Sequence, residues 1–157
     1  MTMNVQSLMT KNPKSCRAEE SLRTAAYLMW ECDIGSIPVV DHDHHVVGMI
    51  TDRDICMAAY FRDRTLSDIR VHEAMASSIV ACKPEDDVKT AERLMRDNQI
   101  RRLPVIDREG RLLGVLSVND LARRAATDRH LSSPQVAETG VVTTIAAIAA
   151  PRPMAAE

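Results

Sequence analysis

The chain is written twice. Residues 5–54 laid over residues 71–120, at a constant offset of 66 and without gaps, give 14 identities. Among them are Val5/Val71, Met9/Met75, Cys16/Cys82, Ala25/Ala91, Met29/Met95, Pro38/Pro104, Val39/Val105, Asp41/Asp107, Gly48/Gly114 and Asp54/Asp120. Many other pairs keep their character, such as Leu22/Val88, Val47/Leu113 and Thr51/Ser117. An internal repeat constrains architecture more than any local propensity, because each copy must form the same supersecondary unit. Two copies predict a pseudo-twofold pair rather than a solenoid, and clefts left by such a pair are places where ligands bind.

Each copy reads as strand, helix, strand, strand, helix. Leu22, Ala25, Ala26 and Met29 form an apolar stripe at helical spacing, repeated by Val88, Ala91 and Met95. The acids Glu19–Glu20 and Glu85–Asp86 are expected at the openings of these helices, where the dipole favours negative charge. Apolar runs at Ile37–Val40 and Val46–Ile50, and again at Leu103–Ile106 and Leu112–Leu116, predict strands covered on both faces or nearly so. Pro38 and Pro104 fall near strand starts, where a missing N–H is tolerated. Ser132-Ser-Pro134 reads as a further helix start, with Ser133 as cap, leading into an Ala/Val/Ile-rich segment interrupted by Gly140 and stopped by Pro151 and Pro153. That segment is expected to be a packing or dimer-contact helix, with a disordered end.

Composition removes whole classes. A net charge of −2 and a pI near 6.2 argue against a nucleic-acid binder. No apolar run approaches the roughly 20 residues of a membrane span, and the first residues resemble no signal peptide. Cys16, Cys32, Cys56 and Cys82 lack close metal-ligand spacing and are expected to be reduced core residues, which points to the cytoplasm. With one Trp, two Tyr and one Phe, the core must be aliphatic, with Met filling gaps. The His42-x-His44-His45 turn is expected to be solvated rather than a metal site.

The residues with chemical content lie after the second strand of each copy, in Gly48-x-x-Thr51-x-Arg53-Asp54 and Gly114-x-x-Ser117-x-x-Asp120. Glycine permits a close approach, a helix start offers amides and a hydroxyl to an anion, and a carboxylate one turn inside can accept a ribose diol. The same residues also make a capping box, which needs no ligand. The copies differ just upstream: Gly35-Ser36 in the first stands opposite Arg101-Arg102 in the second. Two arginines entering a buried strand call for an anion, unless they are a solvated pair or salt-bridged to nearby acids. Arg53 opposite Asn119 makes the two clefts differ in charge.

Taken together, Val-x-x-x-Met, Ile-x-x-x-Pro-Val-x-Asp and Gly-x-x-(Thr/Ser)-x-x-Asp resemble tandem cystathionine-β-synthase (CBS) domains over roughly residues 4–126. Met-Ile-Thr-Asp-Arg-Asp-Ile and Ile-Arg-Arg-Leu-Pro-Val are similar to segments of small stand-alone bacterial two-CBS proteins, some associated with stress or hypoxia. The resemblance implies an α/β (α+β) fold: two pseudo-twofold repeats forming one CBS-pair module, with clefts for adenosine-containing ligands such as AMP, ADP, ATP, NAD or S-adenosylmethionine. It implies that Asp54 and Asp120 hold ribose, and that Thr51 and Ser117 lie near ribose or phosphate. Arg101 and Arg102 would meet phosphate, Arg53 would colour the first cleft, and Ile37–Pro38 and Leu103–Pro104 would line adenine slots.

The expected organisation is repeat 1 at 4–60, a linker at 61–70, repeat 2 at 71–126 and a partly helical tail at 127–157. The expected function is regulatory and non-enzymatic. A cytoplasmic homodimer binds an adenine nucleotide and signals to an effector protein, with no required cofactor or metal and no nucleic-acid or membrane partner. A structural adaptor with vestigial clefts is the alternative.

Overall fold

The computed structural model describes residues 3–151. In chain order its elements are β1 (Thr10–Lys11), β2 (Cys16–Arg17), α1 (Leu22–Glu31), β3 (Ser36–Val40), β4 (Val46–Thr51) and α2 (Asp52–Arg62). They continue with α3 (Val88–Asn98), β5 (Arg102–Ile106), β6 (Leu112–Ser117), α4 (Val118–Asp128) and α5 (Glu138–Ala149). Single 3-10 turns at Val5–Ser7 and Val71–Glu73 precede each copy's first helix. The architecture is mixed α+β with two small sheets, ordered β1-β6-β5 and β2-β3-β4. The described end of the chain falls short of residues 152–157, where the disordered tail was expected.

The chain divides into two units that do not coincide with the sequence repeats. One comprises residues 11–79 with 106–113. The other comprises residues up to Thr10, then 80–105, then 114 onward. Each unit has its own aliphatic core, one built on Leu22, Ile37, Ile50, Ile69 and Val71, the other on Val5, Met95, Leu103, Leu116 and Leu121. Burying such side chains is worth about 1.5–3 kcal/mol each before chain entropy is counted.

The helical stripes are as read, with Leu22, Ala25 and Met29 buried in α1 and Val88, Ala91 and Met95 in α3. The helix starts are not. Ser21 and Asp87 are the caps, accepting from the amides of Thr24 (3.3 Å) and Thr90 (2.7 Å). The acids upstream close turns instead: Glu20 accepts from the Arg17 amide at 2.6 Å, and Asp86 from the Lys83 amide at 2.8 Å. A short polar loop before a helix has its own amides to satisfy, and those claims come before the dipole's.

β3 is buried along its whole length and pairs antiparallel with β4, with Ser36 opposite Thr51 and Ile37 opposite Ile50. β2 reaches only Val39 and Val40, so no ladder on that side demands an N–H from Pro38. Asp41 and Asp107 tie off the two hairpins. Each Oδ1 accepts two turn amides, from Asp43 and His45 and from Glu109 and Arg111, at 2.8–3.0 Å. Those bonds hold both carboxyls below their ordinary values, and His45 also rings Asp41 at 3.1 Å. Cys16 and Cys82 are core residues whose thiols burial pushes up to about 12. Cys56 is exposed and Cys32 half-buried, so the expectation of four core cysteines fails for these two. Cys32 is the C-cap just past α1, and Cys56 faces a cavity on α1 and α2 rather than the core.

The Ser133 helix start is also displaced. α5 begins at Glu138, because the amides of Gln135 and Val136 bond to the buried Asp128 carboxylate, at 3.0 and 3.3 Å, instead of entering a helix. Arg124 pairs with Asp128 at 2.8 Å and, with those amides, lowers its pKa. α5 then lies on α3 and α4. Its Gly140 covers Glu92, whose oxygen would stand 3.1 Å from a Cβ there.

Burial raises the Glu92 carboxyl above its ordinary 4.5, against opposing pulls from Arg96 and Lys89 and a smaller push from Asp87. The sign follows from linkage: the folded state binds this proton more tightly. Glu92's contribution is therefore complete below pH 4.5 and is lost as pH rises through the raised value. Thermal melts from pH 4 to 8 should show that Glu92→Gln gains stability relative to wild type as pH rises. A constant difference across that range would refute the buried-acid assignment.

Candidate functional site

The candidate residues gather at two strand-to-helix junctions, β4 into α2 and β6 into α4. In each, the residue that ends the strand is the helix N-cap and the capping box is closed. Asp54 Oδ2 accepts from the Thr51 amide (2.9 Å) and hydroxyl (2.7 Å), while Thr51 Oγ1 accepts from the Asp54 amide at 3.1 Å. Ser117 and Asp120 repeat this at 2.8, 2.5 and 3.3 Å. Capping is therefore part of what these four residues do.

What the cap leaves over differs between junctions. No described hydrogen bond uses Asp54 Oδ1, whereas Asp120 Oδ1 is taken by the Arg123 guanidinium. At α2 the first three helix amides are all spent: Asp52 N–H on the Gly35 carbonyl (3.1 Å), Arg53 N–H on the Asp52 carboxylate (2.8 Å) and Asp54 N–H on Thr51. At α4 the Val118 amide goes to the Arg101 carbonyl at 2.9 Å and the Asp120 amide to Ser117. The Asn119 amide has no partner among the described residues. Val118 also brings no acid to the helix start, where α2 carries Asp52. The α4 end thus retains an amide donor, and its first turn carries one acid, Asp120, where α2 has two, Asp52 and Asp54, conditions that favour an anion more at α4 than at α2.

The Arg101 carbonyl bond sets the arginine pair beside that helix start. Arg101 is exposed and Arg102 half-buried, and neither guanidinium makes a hydrogen bond or ion pair among the described residues. Of the readings open from sequence, salt bridges to nearby acids are not found among the described residues, which leaves a solvated pair or an anion site. Arg53, on the first copy, is exposed, and its guanidinium makes no hydrogen bond or ion pair among the described residues. Ile37 and Leu103 are fully buried in the aliphatic cores, and Pro38 and Pro104 are buried beside them in β3 and β5.

Two features escaped sequence reasoning. Ser36, noted only as a departure from the arginine pair, is a buried hydroxyl directly opposite Thr51 with no hydrogen-bond partner among the described residues. Such a group costs about 1–3 kcal/mol unless something satisfies it. The glycines, read as openings for a ligand, receive the chain itself. Gly48 lies under Met75 and the Ala76 carbonyl, and Gly114 under Met9 and the Thr10 carbonyl. The repeat identities Met9/Met75 held that signal.

A cavity of about 560 Å³ lies on α1 and α2 and reaches the β4–α2 junction at Gly35 and Asp52, though none of the nominated residues lines it. In the His42–His45 turn, His42 meets Arg17 and His45 meets Asp41.

Comparison with known proteins identifies the repeat. A family model described as CBS domain matches residues 5–60 and again 66–127. An uncharacterized 17.7 kDa protein of Acidianus ambivalens is 33% identical over 147 residues, covering 90% of this chain and 87% of that protein. Among solved structures, CBSX2 in complex with AMP superposes with a TM-score of 0.71 at 26% identity, covering 81% of this chain and 98% of that one. Hypoxic Response Protein I with two coordinated zinc ions gives 0.71 at 29% identity, over 77% and 98%.

Proposed function

This chain belongs to the CBS-domain family, and from that premise we propose that it is a regulatory module binding an adenine nucleotide, AMP, ADP or ATP, at its strand-to-helix junctions. The observation that carries the proposal is the β6–α4 junction, where two guanidiniums unpaired among the described residues, an open helix amide and a first turn with one acid fewer than that of α2 together invite a phosphate. The AMP held by CBSX2 is a ligand of that chemistry. NAD and S-adenosylmethionine share its adenosine part and complete the series to be compared.

In this reading Asp54 and Asp120 accept the ribose hydroxyls, Thr51 and Ser117 lie beside them, and Arg101 and Arg102 take the phosphate. Ile37–Pro38 and Leu103–Pro104 support the adenine slots as buried backing. The β4–α2 junction, with Asp52 at its helix start, favours the uncharged part of a ligand, and Ser36 finds its partner there. No group is assigned a catalytic role. The protein acts as a cytoplasmic homodimer and passes ligand occupancy to an effector protein, which requires that the ligand prefer one of two conformations.

The closed capping boxes, and the Arg123 contact on Asp120, favour one second reading: a structural adaptor whose junctions only hold helices. Calorimetry of the whole chain with AMP, ADP, ATP, NAD and S-adenosylmethionine separates the two. Binding heat with AMP in the micromolar to millimolar range is expected. Absence of heat with every ligand at millimolar concentration would leave the adaptor.

A further inference from the structure

The cavity on the first copy's helix pair has a chemistry that the second copy reverses. It measures about 560 Å³ and is floored by Met29 and Ile55, both buried, with Ala26, Ile34 and Ala59 around them. Its polar rim is Asp33 and Asp52, both exposed. Trp30, the only tryptophan of the chain, lines it too and is 84% exposed. No Lys, Arg or His is among the residues that line it.

Stepping forward by 66 residues gives the matching face of the second copy. Met29, Ile34, Ile55 and Ala59 become Met95, Ile100, Leu121 and Ala125, so the apolar floor is kept. The rim is not. Trp30, Asp33, Gly35 and Asp52 become Arg96, Gln99, Arg101 and Val118. That second face is filled by α5, with Arg96 donating to the Thr144 hydroxyl at 3.2 Å and the Gln99 amide donating to the carbonyls of Ala147 (3.1 Å) and Ala150 (3.0 Å). The first face is wrong for such a helix end, since Asp33 sets a carboxylate where Gln99 sets an amide donor. Two acids and an indole, with no base among them, suit a cation.

Both carboxylates have capacity to spare. The Asp33 side chain makes no hydrogen bond or ion pair among the described residues. Asp52 accepts the Arg53 amide on Oδ1 at 2.8 Å, and no described hydrogen bond uses its Oδ2. Gly35, also on the rim, keeps that second oxygen open, because a Cβ there would stand 3.0 Å from it.

We propose that this cavity binds a small organic ammonium ion, its apolar body on Met29 and Ile55 and its charge at the rim, met by Asp33, Asp52 and the Trp30 ring. The volume is that of a small-molecule site, which typically holds about 300–1,000 Å³ and is apolar with a few placed polar groups. The site is distinct from the nucleotide reading above, since no residue assigned there to ribose or phosphate lines it.

Titration of the full chain with phenethylammonium, followed by Trp30 fluorescence, tests this. A saturable change is expected, with a Kd on the order of millimolar for a ligand of so few atoms. Hydrocinnamate, the same body ending in a carboxylate, should bind at least about tenfold more weakly, because its charge meets two acids instead of pairing with them. Asp33→Asn with Asp52→Asn should weaken the amine about tenfold and bring the two ligands' affinities together. Asp33→Asn alone lies outside the helices, at a φ of 51° that asparagine accepts, and should weaken the amine while leaving AMP affinity as in the wild type. Equal binding of amine and carboxylate, or an amine affinity indifferent to these substitutions, would overturn the proposal. So would the absence of any saturable change far above millimolar amine, the result expected if another chain covers the cavity. Tighter binding of Nα-acetyl-lysinamide than of the amine would overturn it as well, by giving the cavity to a side chain of a partner protein.

Discussion

Gly114→Ala and Gly48→Ala should each destabilise the protein by roughly 1–3 kcal/mol, lowering Tm by roughly 3–10 °C in a chain of this size. A Cβ at Gly114 would stand 2.6 Å from the Met9 sulfur and 2.8 Å from the Thr10 carbonyl oxygen. At Gly48 the corresponding distances are 2.7 Å to Met75 and 2.9 Å to the Ala76 oxygen. A thioether swings away at little cost, but the backbone does not. Ala76 is pinned by reciprocal bonds with Met49, 3.0 Å one way and 2.9 Å the other. Gly35→Ala is the internal control. The nearest atom to its Cβ would be an oxygen of the Asp52 carboxylate, at 3.0 Å, an exposed side chain held only by its Oδ1 bond from the Arg53 amide and better able to shift than backbone. Thermal melts of the three variants decide it. If Gly48→Ala and Gly114→Ala melt with Gly35→Ala, the overlying segments yield and the glycines have no such role.

Arg102→Ala should weaken AMP about ten- to a hundredfold while changing adenosine affinity less than about threefold. A charge-assisted hydrogen bond is worth about 1.5–3 kcal/mol, and each 1.4 kcal/mol is tenfold. Only the phosphorylated ligand offers an oxyanion to the guanidinium fork. Asp120→Asn should weaken both ligands together, since the ribose is common to them. It should also cost about 0.5–1 kcal/mol of stability through the helix cap. Calorimetry with both ligands on both variants separates phosphate from ribose. Equal losses for AMP and adenosine in Arg102→Ala would remove Arg102 from the phosphate. A cap defect without any affinity change in Asp120→Asn would reduce that carboxylate to a helix end.

Much of the fold was legible because the repeat supplied every element in duplicate. The runs Ile37–Val40 and Leu103–Ile106 became β3 and β5, and the stripes through Met29 and Met95 became buried faces of α1 and α3. The errors share a cause. Glu19–Glu20 looked like a helix start and Ser133 like a cap because their competing partners, the Arg17 amide and the Asp128 carboxylate, cannot be weighed from sequence. At the candidate site the residue types were legible, since Thr51, Asp54, Ser117 and Asp120 do share junctions as spaced. Their saturation was not. Whether Asp120 Oδ1 is free depends on Arg123, and whether Ser36 is orphaned depends on register. The seat of α5 lay out of reach for the same reason, because Gly140 and Glu92 meet only after folding.

The mismatch between repeat and unit has a consequence for how the protein is made. Residues up to Thr10 belong with residues 80–105 and 114 onward, and residues 11–79 are completed only by 106–113. The unit that buries Val5 cannot close while the first copy alone has left the ribosome. At about 5–20 residues per second, Val5 waits on the order of 5–20 s for the Leu116 and Leu121 side chains that will bury it. During that interval the other core, whose buried residues from Cys16 to Val71 all lie within residues 11–79, can already close. Nascent-chain protease protection should therefore rise first over residues 11–79, and only once β6 and α4 have emerged over the unit that buries Val5.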